Sequence, residues 1–326
     1  MRNLFFILLL ILSISARAQE RCDCFDRLYN LSTNYYFSNN WPMAISALKD
    51  AISFLDSNRA GDYYFELGDY YSHTTDTDSA ALYFTKAIKR GYPLTWIKSG
   101  YPTIYSKIDS AKIQKYILDL KAKIDFDLYD KFVQINALDQ AVRDGTLYPI
   151  NDIFHGTPEQ KAFIDTMSIR VDSNTFEFVK QVLEKYKYPI AYNLGFYPSG
   201  FMGLLLHITA VDNARSRNLF AILEELNRTC NFPQKSIILF LKDRQKLYNE
   251  HNSCCGLFGG INRYSDIVDV NKADSIRLSY NQLRLKEETS RDDTTSIRNR
   301  SELRSKGYKP KPYPKKYFCI EKYHFD

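Results

Sequence analysis

The stretch from Gly61 to Leu94, GDYYFELGDYYSHTTDTDSAALYFTKAIKRGYPL, decides how the first third of the chain folds. Its second half places Ala80, Phe84 and Ala87 four and then three residues apart, which puts them on one face of a helix. Asp76 precedes this helix as a capping residue. The stretch therefore predicts two helices joined by a short turn.

The same spaced residues occur earlier in the chain. Leu31, Tyr35, Ala44, Leu48 and Ala51 are matched in order, and nearly in spacing, by Leu67, Tyr71, Ala80, Phe84 and Ala87. This pattern resembles the tetratricopeptide repeat, a helix-turn-helix unit of about 34 residues. A generic helical hairpin is the alternative, because Ser32 stands where the repeat usually has Gly and Trp41 lies in the turn.

The resemblance implies a groove that binds a protein or peptide partner. Its candidate groove positions are Asn34, Tyr35, Tyr64 and Asp69. Packing within the repeats is the alternative role for each of them. A further helical stretch from Ser99 to Ile124 is expected to cap the array, which gives a repeat domain over residues 25–124.

From Phe126 to Leu285 the chain predicts a second all-helical domain, since no run of strict alternation is long enough for a sheet. Two of its predicted helices run from Glu159 to Arg170 and from Asn174 to Tyr188, the second behind the cap candidates Asp172 and Ser173. The predicted fold class is therefore all-α throughout. Residues 286–326 are charged and then Pro-rich, which is typical of a flexible tail.

Spaced landmarks in the second domain resemble a bacterial domain family of unknown function that is often found in exported proteins. The landmarks are Asp139-Gln140 with Arg143, Asp172 with Asn174, Tyr186 to Pro189, Gly195, His207, Asp243-Arg244, and Asp274 to Arg277. Members usually carry a Gln-x-Tyr-Gly-Thr segment soon after the Asp-Arg pair. Here the corresponding residues, Asn249 to Gly260, contain Cys254 and Cys255 instead, so a site lined by that segment would be altered or lost.

Five landmark residues are candidates for a polar centre. His207 would form this centre with Asp243 and Arg244, since a carboxylate can orient an imidazole and a guanidinium can bind an anion. Asp139 and Arg143 could join it together with Gln140, because the three share one face of the preceding helix. Such a pocket would favour hydrolytic chemistry or small-ligand binding. The alternative is a buried structural network that fastens the helices together.

Residues 1–18 are typical of a secretion signal, with Arg2, an apolar run from Leu4 to Ile14, and Ala16-Arg17-Ala18 before Gln19. The apolar run is shorter than the roughly 20 residues of a membrane-spanning helix. We therefore expect an exported, periplasmic or secreted protein without stable membrane insertion after cleavage. Loss of the segment lowers the formal net charge from +6 to +4, and no folded basic stripe predicts nucleic-acid binding.

The six cysteines are Cys22, Cys24, Cys230, Cys254, Cys255 and Cys319. An even count in an exported chain favours disulfides, and their positions suggest that the two ends are tied down. Sequence alone does not choose the pairing. A zinc site that combines His251 with nearby cysteines is disfavoured because adjacent cysteines lack the usual ligand spacing. No metal and no cofactor is predicted.

The sequence thus favours an exported helical-repeat protein that mediates protein or peptide interaction. The competing function is a hydrolase-like enzyme or small-ligand binder with a His/Asp/Arg pocket. The chain contains no Gly-x-Ser-x-Gly, His-Glu-x-x-His or phosphate-binding loop that would name a reaction.

Overall fold

The computed structural model describes residues 2–55, 61–143, 157–186, 198–210, 213–229, 235–249 and 270–282, together with Lys306, Lys309 and Cys319. These residues form an all-α structure, as predicted, with no strand among them. The helices are α1 Arg2–Phe37, α2 Trp41–Ser53, α3 Gly61–Ser72, α4 Thr77–Lys89, α5 Leu94–Gly100, α6 Pro102–Tyr105, α7 Ser110–Lys121, α8 Phe126–Arg143, α9 Pro158–Tyr186, α10 Pro198–Thr209, α11 Ala214–Arg228, α12 Lys235–Asn249 and α13 Val270–Ser279.

Helices α1 with α2 and α3 with α4 form two hairpins that pack side by side. Each second helix begins behind a polar cap: the side chain of Asn40 accepts the N–H of Met43 at 3.4 Å, and Asp76 accepts that of Ser79 at 3.0 Å. After α4 the chain turns at Gly91, whose φ of 97° is a conformation that glycine adopts without strain.

Gly68 allows the second hairpin to close tightly. A Cβ atom at this position would lie 2.5 Å from the ring of Phe84, which itself is fully buried. The small residue therefore lets the aromatic ring of α4 lie directly on the backbone of α3. Ser32, on α1 at the matching place in the pattern, is also buried, and its hydroxyl donates to the Tyr70 hydroxyl at 3.4 Å.

Three apolar clusters hold the helices together. The first joins α1, α2 and α3, the second joins α4 to α7, and the third joins α8 to α12. Leu278 of α13 and the distant Cys319 pack against the first cluster rather than the third. The C-terminal part of the chain thus returns to the first helices.

The predicted helical stretch from Ser99 to Ile124 is helical but divided. Pro102 starts a new short helix, and the Asp109 side chain caps α7 by accepting the N–H of Ala111 at 3.0 Å. One predicted helix boundary was wrong. Helix α9 is continuous through Asp172, Ser173 and Asn174, so these residues do not open a helix. Ser173 donates instead to the carbonyl of Ile169, one turn earlier in the same helix.

The predicted signal segment forms the start of α1, which runs without a break into the first hairpin. In the part of the chain that the structure describes, no helix is both long enough and apolar enough to cross a membrane. Most of the predicted tail, residues 286–326, lies outside the described residues.

Candidate functional site

Asp139 and His207 form the best-defined pair among the predicted site residues. Asp139 lies on α8 and is fully buried, whereas the side chain of His207 on α10 is 25 % exposed. A carboxylate oxygen of Asp139 lies 2.5 Å from Nδ1 of His207. Gln140 also donates to this carboxylate, at 3.3 Å. A buried carboxylate in this position favours the tautomer with the proton on Nδ1 and leaves Nε2 able to accept one.

The other three predicted residues are placed differently. Asp243 on α12 is fully buried, while Arg244 next to it is exposed. Arg143 is the last residue of α8, and its side chain lies outside the part of the structure that is described. The carboxylate bonded to His207 is therefore that of Asp139. Asp274 and Arg277, the closing landmark, are both buried on α13.

Among the described residues, no hydroxyl or thiol hydrogen-bonds to the imidazole of His207. Histidine with a carboxylate partner can act as a general base, but covalent catalysis also needs a nucleophile within reach. Residues 250–260 lie outside the described residues.

The repeat hairpins carry a second candidate site, which we name the tyrosine–lysine patch. Its members are Lys49 of α2, Tyr64 and Tyr71 of α3, and Tyr83 and Lys86 of α4. Tyr71 and Tyr83 stack with ring centroids 5.5 Å apart and planes 9° from parallel. The ring centroid of Tyr64 lies 6.1 Å from that of Tyr83. Each of the three tyrosines is half-buried.

The two lysines hold their ammonium groups over these rings. Lys49 Nζ lies 5.0 Å from the Tyr71 ring centroid and 2.5 Å from the Tyr71 hydroxyl. Lys86 Nζ lies 4.5 Å from the Tyr83 centroid and 5.6 Å from that of Tyr64. Such cation–π contacts fix the position of a flexible cation without neutralising it.

The electrostatics of the patch keep it positively charged at neutral pH. The hydrogen bond to Tyr71 raises the pKa of Lys49, and burial raises the pKa of Tyr83. The lysine thus stays protonated and the phenol stays neutral. Both can bind a carboxylate, the lysine as a cation and the tyrosine as a hydroxyl donor.

The sequence placed only Tyr64 of this patch among the groove positions. The spacing of the residues also indicates that other members lie on shared helix faces. Tyr64 and Tyr71 are seven residues apart, and Tyr83 and Lys86 are three apart, so each pair shares a helix face. The contact of Lys49 with the next hairpin depends on how the hairpins pack.

The remaining groove positions are engaged in the repeat fold. Asp69 accepts the Tyr101 hydroxyl at 2.6 Å and lies 3.5 Å from Nε2 of His73. Tyr35 is half-buried against the first apolar cluster, and burial raises its pKa. Asn34 is half-buried on α1.

The described cysteines show one disulfide and two thiols. Cys22 is disulfide-bonded. Cys24 and Cys319 carry free thiols. Cys230, Cys254 and Cys255 lie outside the described residues. Within the described ranges, His, Cys, Asp and Glu side chains do not assemble into a metal-binding cluster.

A cavity of about 300 Å³ opens between α1, α11 and α12. Its described lining includes Asp23, Glu224, Arg228, Lys235 and Tyr280, and none of the five predicted catalytic residues. Its charges are already paired in part, because Arg228 binds Glu225 through two hydrogen bonds of 2.8 and 2.6 Å. We therefore do not assign it a ligand.

Family models, curated proteins and solved structures were compared with this chain, and none matches it. The function must therefore be argued from the residues and their geometry.

Proposed function

We propose that this chain is an exported helical-repeat protein whose hairpins bind an acidic segment of a partner protein. The observation that carries this proposal is the tyrosine–lysine patch, where two cations and three half-buried aromatic rings share one surface. Tyrosine is enriched at binding surfaces because it offers a large apolar area and a polar hydroxyl at low entropic cost.

The charge of the patch selects the chemistry of the partner. Lys49 and Lys86 are fixed over tyrosine rings, so a carboxylate that reaches them loses little entropy in ordering their side chains. The tyrosine hydroxyls add directional donors beside the two point charges. An Asp- or Glu-containing peptide with apolar neighbours matches both features.

Export is part of the same proposal. The disulfide at Cys22 fits an oxidising compartment, and the segment before Gln19 has the composition of a secretion signal. We also propose that the two hairpins are tetratricopeptide-like repeats and that a domain boundary lies near residue 125.

The test measures binding of fluorescent peptides by anisotropy, using acidic, neutral and basic peptides of equal length and equal aromatic content. We expect the acidic peptides to bind best, with an affinity that falls as the salt concentration rises. The double variant Lys49→Met/Lys86→Met should weaken this binding about tenfold or more.

The matched control is Lys107→Met/Lys112→Met, which removes the same charge from the same helical unit. Lys107 and Lys112 form ion pairs with Asp78 and Asp109, and neither lysine contacts a tyrosine ring of the patch. We expect this control to change peptide affinity by about twofold or less. Equal weakening in both double variants would contradict the proposal, since it would assign binding to net charge alone.

The Asp139–His207 pair favours a second candidate function, that of a hydrolase-like enzyme or small-ligand binder. The observation behind it is the partly exposed imidazole held by a fully buried carboxylate. A panel of 4-nitrophenyl esters and phosphates tests it directly. The enzyme is favoured if the parent turns over a substrate and His207→Ala loses this turnover while its thermal stability stays unchanged. A structural pair is favoured if the parent shows no turnover and His207→Ala has a lower thermal stability.

A further inference from the structure

The two free thiols come from opposite ends of the chain and meet in one place. Cys24 lies in α1 and is fully buried, and Cys319 is half-buried against the first apolar cluster. The two thiols hydrogen-bond to each other. Sulfur atoms in hydrogen-bond contact need only a small movement to reach bonding distance.

Arg27 makes the two thiols unequal. This residue follows Cys24 by one turn of α1, and its Nη1 lies 4.0 Å from the sulfur of Cys319. The hydrogen bond from Cys24 and the charge of Arg27 lower the pKa of Cys319. The hydrogen bond with Cys319 and burial raise the pKa of Cys24. Cys319 is therefore the sulfur that ionises first.

The position of Arg27 is itself fixed by the surrounding structure. Its Nε donates to the side chain of Asn281 at 3.1 Å, and its Nη2 lies 3.3 Å from Asp23. With 1 % of its surface exposed, the guanidinium cannot turn away to solvent. The positive charge beside Cys319 is consequently a permanent feature of this site.

We propose that Cys24 and Cys319 form a dithiol site that reacts with a disulfide oxidant and covalently joins residue 319 to the first helix. The oxidant is a disulfide, whether of a small thiol or of a thiol-oxidising protein. This site is independent of the tyrosine–lysine patch and of peptide binding.

The reaction proceeds by two exchange steps. The thiolate of Cys319 attacks one sulfur of the oxidant, whose S–S bond breaks, and the first oxidant thiolate leaves. The thiol of Cys24 then attacks the sulfur of Cys319, and its proton passes to the second oxidant thiolate as that group leaves. The two cysteines lose two electrons in total, the oxidant disulfide gains them, and the first released thiolate takes up the proton that Cys319 lost when it ionised.

The first experiment identifies the bond in the full chain. Protein purified without reductant is incubated with oxidised glutathione, unfolded in the presence of N-ethylmaleimide, digested, and mapped by mass spectrometry. We expect a linked peptide pair that contains Cys24 and Cys319, alongside the separate bond of Cys22. Alkylation of both residues, or a bond from either to another cysteine, would overturn the proposal.

The second experiment tests the order of attack with Cys24→Ser and Cys319→Ser, each compared with the parent by circular dichroism. The thiol of Cys319, in the Cys24→Ser variant, should form a mixed disulfide with oxidised glutathione about tenfold faster than the thiol of Cys24 in Cys319→Ser. Equal rates, or a faster Cys24, would refute the assigned order. The same rates are then measured with a thiol-oxidising protein in place of glutathione, which distinguishes the two sources of oxidant. A protein oxidant that docks here reacts faster than glutathione at equal disulfide concentration.

Discussion

Asp26 and Asp139 are both fully buried aspartates on helices, but they are used in different ways. Asp26 lies where α1 meets the start of α12 and Asn281, the second residue after α13. All of the side chains that donate to it are themselves buried or half-buried. Asp139 instead binds a histidine whose ring reaches solvent. The comparison indicates that burial of a carboxylate is a weak sign of function, and that exposure of its partner is the more informative property.

The Asp26 junction connects segments that are distant in sequence. Asp26 accepts the N–H and hydroxyl of Ser236 at 3.1 and 2.7 Å, and thereby satisfies one of the first N–H groups of α12. Asn281 donates to Asp26 at 3.4 Å and to Asp23 at 2.8 Å. It also accepts from Arg27 and, through its carbonyl, from Asn30 at 3.2 Å.

Replacement of Asn281 by Ala should give the largest effect on stability. The change removes one hydrogen-bond partner from each of Asp23, Asp26 and Arg27 at a fully buried position. It also places Ala at a φ of 63°, in the left-handed region. We expect a loss of about 3–5 kcal/mol in the free energy of unfolding, measured by urea denaturation. The exposed control Asn218→Ala should lose about 0.5 kcal/mol or less. A loss below about 1 kcal/mol for Asn281→Ala would show that the junction contributes little to stability.

The pH dependence of stability tests Asp26 itself. Burial raises the pKa of Asp26 to about 7, with a smaller contribution from Asp23, although the hydrogen bonds from Ser236 and Asn281 act in the opposite direction. The folded protein then binds a proton that the unfolded chain has released between about pH 4 and 7. The stabilisation is complete below the unfolded pKa and is lost as the pH rises through 7.

We therefore expect the free energy of unfolding to fall by roughly 2–3 kcal/mol between pH 5 and pH 8. The variant Asp26→Asn resembles the neutral form, because its amide can donate to the Ser236 hydroxyl while its oxygen still accepts an N–H. Urea denaturation across this pH range should show a flatter profile for the variant than for the parent. Parallel profiles would mean that Asp26 remains ionised in the folded protein.

The sequence selected Asp139 and His207 as candidate site residues, although it paired His207 first with Asp243, and it did not select Asp26. Both residues were landmarks of the family resemblance, and the structure places them on helices of one apolar cluster. The junction was missed because its contacts join Asp26 to Ser236 and Asn281, and helical periodicity carries no information about such distant partners. The available signal was local: Asp26 and Arg27 interrupt the apolar face formed by neighbouring residues of α1.

The fold class and most helices were predictable because the signals that decide them are local in the sequence. Spacing and capping residues act within one helix, as Asp76 does at the start of α4. The errors fell where local signals competed: Ser173 can cap a helix or bond back to the turn before it, and only the surrounding structure decides between the two.

His207→Gln should cause a smaller loss of stability than Asn281→Ala. The change removes the imidazole N–H that the buried carboxylate of Asp139 accepts. We expect a loss of about 1–2 kcal/mol in the free energy of unfolding, and less for Asp139→Asn, whose amide oxygen can still accept from Nδ1. Urea denaturation of both variants measures this order. A loss as large as that of Asn281→Ala would place the pair with the structural junction and remove the main argument for a catalytic role.

The smallest loss of stability should follow replacement of Asp125. This aspartate also connects helices, but it lies near the surface. Its carboxylate accepts from Lys185 at 2.6 Å, from the Tyr186 hydroxyl at 2.7 Å and from the N–H of Leu128 at 3.1 Å, so it ties the start of α8 to the end of α9. These bonds lower its pKa to about 2. Its stabilisation is therefore present above the unfolded pKa and is lost only as the pH falls from about 4 to 2, which is the opposite sign and a different pH window from Asp26.

Because Asp125 and Lys185 are solvated, Asp125→Asn should lower Tm by only about 1–2 °C at pH 7 in a thermal denaturation experiment. The slope of stability between pH 5 and 8 should stay the same as in the parent, since Asp125 does not titrate there in either the folded or the unfolded protein. A flattened slope in this variant would assign the pH dependence to surface charges and would contradict the separate role given to Asp26. An unchanged slope, together with the flattening in Asp26→Asn, would locate that dependence at the buried junction.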